Sequence, residues 1–303
     1  MSSCSQNIRK TSDNEYILND EQLLGNGISG DVYRCLDSKT GKEYAIKIFK
    51  KNYNNSHEIK MNKRIKEIGN PSLAKYIDSS NDFIVFDFYE KGDLMKYFKL
   101  VKKDKLMKFI IFKILKSVQI LHKHGICHRD LKPDNIFLAK DFSLKIGDFG
   151  QCLSFLDQNN KKILLSGNCG TLKYRAPETY GGNFYDGEKI DIFSIGVILF
   201  SIKIKVCPFP KASPNDFLYK YIKNKDEDNY WKIYGKMINL PHLSKEFKKL
   251  FFKMVSFNPN ERPTIEEILK DPWLAEVTSL DKNGLELLEK ELIKEFKECE
   301  EYF

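Results

Sequence analysis

His128-Arg129-Asp130-Leu131-Lys132-Pro133-Asp134-Asn135, followed by Asp148-Phe149-Gly150, is the stretch on which the reading of this 303-residue chain turns. It sets one candidate base, Asp130, and two candidate magnesium ligands, Asn135 and Asp148, within about twenty residues. Phosphoryl transfer asks for such a set, because its chemistry is mostly positioning and charge neutralisation.

Upstream, Gly25-x-Gly27-x-x-Gly30-x-Val32 follows a strand-like run. Glycines let backbone amides approach phosphates closely. The spacing alone also marks dinucleotide-binding folds, where the glycines open a helix. Here Asp31-Val32-Tyr33-Arg34-Cys35 continues as a β-branched and aromatic strand, so the loop reads as a hairpin lid over a nucleotide. Lys47, in Tyr44-Ala45-Ile46-Lys47, sits on the third strand, where a lysine can pair with phosphates. Glu58 on the following helix is its candidate partner, and Glu67 on the same helix competes.

The elements around these motifs change character along the chain. Residues 16–24, 31–37, 42–50, 73–78 and 82–88 read as strands, 38–41 as a hairpin turn, and 54–68 as a helix. Beyond Gly92 helices dominate. Residues 105–124 and 190–203 are apolar enough for burial on much of their circumference, and 217–223, 245–255 and 264–269 are further helices. Strands first and helices later predict an α+β arrangement of two lobes, with the boundary near residues 88–92.

Bulk composition narrows the class. A chain of this length with 42% hydrophobic and 13% aromatic residues supports a sizeable core. No apolar run reaches the roughly 18 residues of a membrane span, and 190–206, the longest, is interrupted by Asp191, Ser194, Ser201, Lys203 and Lys205. Residues 1–14 are polar without a signal-peptide core, and Ser2 breaks the myristoylation pattern. Seven cysteines without a Cys-x-x-Cys pair argue against a disulfide framework or zinc site and for a reducing cytoplasmic compartment or the nucleus. The formal charge of +8 is spread along the chain among acids, which reads as a solvated lysine-rich surface; no membrane and no specific nucleic acid are expected as partners.

In order along the chain stand the Gly25 loop, Lys47, His128-Arg129-Asp130, Asp148-Phe149-Gly150, Ala176-Pro177-Glu178, Asp191 and Arg262. That ordered set resembles the eukaryotic protein kinase family, Ser/Thr type, over residues 16–275. The resemblance implies a bilobal fold: a flexible N-terminus 1–15, a kinase domain 16–275 with a small β-rich N-lobe (16–87, one helix) and a larger, mainly helical C-lobe (88–275), and a helical extension 276–303. It implies Mg-dependent transfer of the γ-phosphoryl group of ATP to Ser/Thr hydroxyls of protein substrates. Asp130 would accept the proton of the substrate hydroxyl, or at least orient it, Lys132 would neutralise charge on the transferring phosphate, and Thr171 would hydrogen-bond near both. Asn135 and Asp148 would hold magnesium.

By the same resemblance the nucleotide site would be made by Leu24, Gly25, Asn26, Gly27, Gly30, Val32, Ala45, Lys47, Glu58, Phe86 and Phe137, with Phe86 as a bulky gatekeeper. The link Asp87-Phe88-Tyr89 would bond adenine, and Asp93 the ribose. Glu178 and Arg262 would form a buried ion pair, and Asp191 would anchor the loop before Asp130. Arg129 often pairs with an activation-loop phosphate in the family, which makes Ser166 a candidate site for an upstream activating kinase. Asn62 stands where the family places an apolar residue. The alternative reading is a pseudokinase scaffold that binds nucleotide without turnover. The residues from 283 to 303 carry apolar positions at helical spacing, fit for docking on the domain or on a partner.

Overall fold

A computed structural model describes residues 8–301, with nothing said of the side chains of 19–21. The described residues fall into two compact units. One comprises 8–92 and Phe137–Gly150, the other Asp93–Ile136 and 151–301. The first is a sheet with one helix and the second is mainly helical, so the α+β class read from the sequence holds.

The first unit is built on β1 (Ile8–Lys10), β2 (Glu15–Asn26), β3 (Gly30–Asp37), β4 (Glu43–Phe49), α1 (Ser56–Ile68), β5 (Tyr76–Ser79) and β6 (Phe83–Asp87). Among the described residues these strands form one six-stranded antiparallel sheet in the order β1-β2-β3-β4-β6-β5. Its register decides which side chains share a face. Val32 pairs with Lys47 and Lys47 with Ile84, while Ala45 pairs with Phe86 and Gly25 with Val32. Side chains alternate with period two, so Val32, Ala45, Lys47, Ile84 and Phe86 lie on one face. The other face carries the core of Tyr16, Leu18, Cys35, Ile46, Phe83 and Val85.

Two expectations need correction here. Residues 8–15 are not a flexible lead-in, because β1 pairs with β2 and Asp78 gathers Thr11 Oγ1 (2.7 Å), Asn14 Nδ2 (3.0 Å) and Tyr16 OH (3.2 Å). The rest of the predicted flexible stretch, residues 1–7, lies outside the described residues. The strand expected over 73–78 begins only at Tyr76. The backbone of 72–74 bonds Ile146 instead, with Ala74 N–H donating to its carbonyl at 2.6 Å and its N–H donating to Ser72 O at 2.9 Å.

The second unit opens with α2 (Leu94–Phe98), α3 (Asp104–Lys123) and β7 (Ile126–Cys127). After a 3-10 turn at Pro133–Asn135, β8 (Ile136–Leu138) and β9 (Leu144–Ile146) form a ladder as the chain returns to the first unit. Next come β10 (Leu153–Ser154), which pairs with β7, then α4 (Gly187–Ile204), α5 (Tyr219–Lys223), α6 (Glu227–Met237), α7 (Lys245–Met254), α8 (Ile265–Leu269), α9 (Ala275–Thr278) and α10 (Lys282–Glu300). As the apolar density predicts, α3 and α4 are buried on most sides and pack together.

Helix α6 has no counterpart in the sequence reading. Asn229 and Gly235 weaken its propensity, and Tyr230 and Tyr234 are its buried residues. Phe200 stands 4.7 Å from Phe251 and 5.2 Å from Tyr234, ring to ring, and stacks on Trp231 at 6.0 Å. Each aromatic buried this way stabilises by about 1.5–3 kcal/mol, more than the propensity deficit of one glycine. Tertiary packing therefore makes α6.

Candidate active site

In the first unit the glycine loop joins β2 to β3. Gly27 N–H donates to Gly30 O at 2.9 Å, and Asn26 Nδ2 donates to Asp31 Oδ1 at 2.6 Å, closing the hairpin that the sequence implied. Gly25 has open space where a Cβ would stand, whereas one on Gly30 would lie 2.2 Å from the Ile48 carbonyl oxygen of β4. Gly30→Ala is thus expected to push β3 from β4, costing about 1–3 kcal/mol of overpacking. Thermal unfolding checks this; an unchanged midpoint would sink it. Leu24, at the register shift of β2, is about half exposed.

Lys47 and Glu58 meet, with Nζ donating to Oε1 at 2.6 Å, and both side chains are nearly excluded from solvent. Burial pushes the Glu58 carboxyl above its ordinary value, and the Lys47 ammonium pulls the other way. Asp148 Oδ1 lies 4.0 Å from the same Nζ, on a half-exposed carboxylate. Glu58 Oε2 has no hydrogen-bond partner among the described residues, and a Cβ on Gly150 would stand 2.9 Å from it. A side chain at residue 150 would therefore collide with the acid that orients Lys47. Asn62 is buried on the same face of α1, and its Nδ2 donates to Glu58 O at 2.9 Å. That bond satisfies its amide nitrogen, while Oδ1 is buried without a hydrogen-bond partner among the described residues.

Phe86 packs beside Phe49, Tyr76, Ile84 and Ile59, walling the sheet face next to Ala45. The Tyr89 ring stacks on Phe137 at 5.7 Å, and its hydroxyl accepts from Lys75 N–H at 2.9 Å. Asp87 forms an ion pair with Lys42 at 3.0 Å. The apolar wall and the link sequence thus sit in one unit with Lys47 and Asp148.

The second unit holds the loop of His128 to Asn135. Asp191 of α4, fully buried, accepts from the backbone N–H groups of His128 (2.8 Å) and Arg129 (2.9 Å), with His122 Nε2 at 2.9 Å from it. Asp130 Oδ1 accepts from Thr171 N–H at 2.7 Å and Oγ1 at 2.8 Å. Lys132 Nζ donates to Thr171 Oγ1 at 2.9 Å and lies 3.4 Å from Asp130 Oδ2. Asn135 Nδ2 donates to Asp130 O at 2.8 Å, which fixes the turn. Asp93 caps α2, accepting from Lys96 N–H at 3.2 Å.

Arg129 is tied to the segment 151–171 by groups the sequence reading missed. Its guanidinium donates to Tyr185 OH at 2.7 and 3.1 Å, to Gln151 O at 3.1 Å and to Ser166 O at 3.4 Å. Gln151 Oε1 accepts from Gly170 N–H at 3.1 Å. Tyr185, Gln151 and His122 lie at separations no local pattern signals; only the tertiary fold gathers them. Arg262 and Glu178 form the expected two-pronged pair at 2.6 and 2.7 Å, with the arginine side chain wholly buried.

The family described as protein kinase domain matches residues 18–274. CBL-interacting serine/threonine-protein kinase 14 of Arabidopsis thaliana is 35% identical over 270 residues, covering 83% of this chain and 57% of that protein. A probable serine/threonine-protein kinase of Dictyostelium discoideum is 33% identical, over 83% of this chain and 30% of its own length. CBL-interacting serine/threonine-protein kinase 15 of Arabidopsis thaliana is 31% identical, over 90% of this chain and 63% of its own. The chain thus spans less than two thirds of each of these relatives.

Proposed function

Because the chain belongs to the protein kinase domain family, we propose that it is a serine/threonine protein kinase that transfers the γ-phosphoryl group of ATP to Ser/Thr hydroxyls of protein substrates. The observation that carries this reading is Lys132, held 2.9 Å from Thr171 Oγ1 and 3.4 Å from Asp130 Oδ2. Thr171 occupies one oxygen of the Asp130 carboxylate with two donors, which fixes its plane and turns the other oxygen toward an acceptor hydroxyl. Lys132 brings positive charge beside that hydroxyl, where the transferred phosphate would sit.

The residues fit a nucleotide that arrives with magnesium. Among the described residues no cluster of three acids, histidines or cysteines forms a metal site of its own. Magnesium commonly binds through one or two protein groups plus substrate phosphates, so a small donor set is the fitting one. Asp148 and Asn135 would hold it, and magnesium so bound offsets charge on the phosphate oxygens. Lys47, oriented by Glu58, would clamp the α and β phosphates. The hairpin of Gly25, Asn26, Gly27 and Gly30, with Gly27 N–H given to Gly30 O, would cover them together with Leu24. Val32, Ala45, Phe86 and Phe137 would enclose adenine, Asp87 and Tyr89 would bond it through the backbone, and Asp93 would reach the ribose.

The closeness of Arg129 to the Ser166 carbonyl supports an upstream kinase acting at Ser166, since a phosphate there would meet the guanidinium. The described cysteines are free thiols, which supports a cytoplasmic or nuclear setting. The test is transfer from labelled ATP with magnesium to a mixed set of basic and acidic proteins, native chain against Asp148→Asn. Labelled Ser/Thr in the first and none in the second is expected. A native chain that binds ATP yet transfers nothing, even after treatment with an activating kinase, overturns the proposal.

A further inference from the structure

Helix α10 lies beyond the matched residues 18–274 and belongs to the second unit. Its buried residues are Leu288, Leu292, Phe296 and Cys299, an apolar stripe at helical spacing. Around the stripe, Glu291 pairs with Lys103 Nζ at 2.6 Å, Glu295 accepts from Lys102 N–H at 2.6 Å, and Glu289 pairs with Lys113. Polar contacts at the rim of a buried stripe contribute little, so they set register while the stripe supplies the adhesion. The last two turns do something different. The Phe296 ring lies 5.1 Å from that of Tyr97, and Tyr97 OH donates to Glu300 Oε1 at 3.0 Å.

Tyr97 sits fully buried in α2, a helix of five residues that is too short to hold its own shape. Its supports come from elsewhere. Lys205 Nζ bonds the carbonyls of Phe98 and Val101, each at 2.7 Å, α10 grips Tyr97, and α2 in turn packs on the Pro133–Asn135 turn. That turn carries Asn135, whose amide is tied to the Asp130 carbonyl.

We propose that α10 is a clamp on the catalytic loop: through Phe296 and Glu300 it fixes Tyr97, and through α2 it positions Asn135 and Asp130. Phe296, Glu300 and Tyr97 are positioning residues that act through the loop. The catalytic consequence rests on the kinase reading above; the mechanical one does not.

The experiment uses the full chain in two variants, Phe296→Ala and Leu288→Ala, each truncating one member of the stripe two turns apart. Amide hydrogen exchange without nucleotide reads the mechanics. Phe296→Ala is expected to raise exchange about tenfold or more in residues 94–98 and 131–136, while Leu288→Ala leaves those segments at the native rate. Transfer assays read the consequence. Phe296→Ala should lower kcat about tenfold and raise the magnesium concentration needed for half-maximal rate, with KM for the protein substrate unchanged. Equal exchange in both variants, raised or native, overturns the clamp. Altered exchange at 131–136 with no transfer by the native chain would leave the clamp standing and sink the kinase reading instead. Should Phe296→Ala fail to fold, Tyr97→Phe removes only the hydroxyl bond to Glu300, and a native exchange pattern and magnesium requirement in that variant would count against the proposal.

Discussion

Asp130→Asn is expected to lower kcat by about 10²–10⁴ while ATP affinity and thermal stability stay close to native. The substituted amide keeps the size of the carboxylate, and its oxygen can still accept from Thr171 N–H and Oγ1, which now approach Oδ1 at 2.7 and 2.8 Å. The other position changes sign. An NH₂ group would replace Oδ2, facing Lys132 Nζ, which stands 3.4 Å away, so a donor meets a donor. The acceptor for the substrate hydroxyl is lost at the atom that turns toward it. The loss should therefore fall on the chemical step, lowering kcat and kcat/KM together. Single-turnover rates with saturating ATP, beside an ATP titration, decide it. A kcat within threefold of native would remove Asp130 from the mechanism.

Arg262→Ala is expected to destabilise the second unit by about 3–5 kcal/mol. The arginine side chain is wholly buried and the Glu178 side chain nearly so. Besides its two bonds to Glu178, the guanidinium donates to Ser256 O at 2.9 Å and Lys189 O at 3.0 Å, and it lies 5.0 Å from the centre of the Phe193 ring. Truncation strands a carboxylate and two carbonyls in a dry site and leaves a void against Phe193. Glu178→Gln should cost less, because the amide still offers one acceptor to the guanidinium. Denaturant unfolding of the two variants measures the difference. A loss below about 1 kcal/mol for Arg262→Ala would show that the site relaxes or admits water.

Much of this was legible from the residues, and the gaps have identifiable causes. The contest between Glu58 and Glu67 could not be settled by spacing from Lys47, since both lie on one helix. The structure settles it by facing: α1 buries Glu58, Met61, Asn62 and Ile65, and Glu67 falls on the exposed side. Helical periodicity carries that information once the buried face is known. Strands β2, β3 and β4 were readable because alternation and turn residues agree. The Ser38–Gly41 turn, for example, is nucleated by Asp37 Oδ1, which accepts from Thr40 N–H at 2.7 Å. Helix α6 was not readable, because aromatic contacts from α4 and α7 hold it. Asp191 could be assigned to the loop only through resemblance, and its third partner His122 only from the fold. The apolar stripe of α10 was visible, but nothing in its own sequence names Tyr97 as what it grips.

Asp148, at the centre of the proposed chemistry, holds left-handed backbone with φ of 55°. For a residue with a Cβ that geometry costs roughly 1–2 kcal/mol, and glycine there would lose the carboxylate that stands 4.0 Å from Lys47 Nζ. Stability and activity are therefore in opposition at this position. A variant library sorted only for survival on heating would enrich glycine there, and the same library sorted for turnover would purge it. The divergence of the two selections, the second read as phosphate transfer to a mixed set of proteins, would mark this position as one where function is held at the expense of stability.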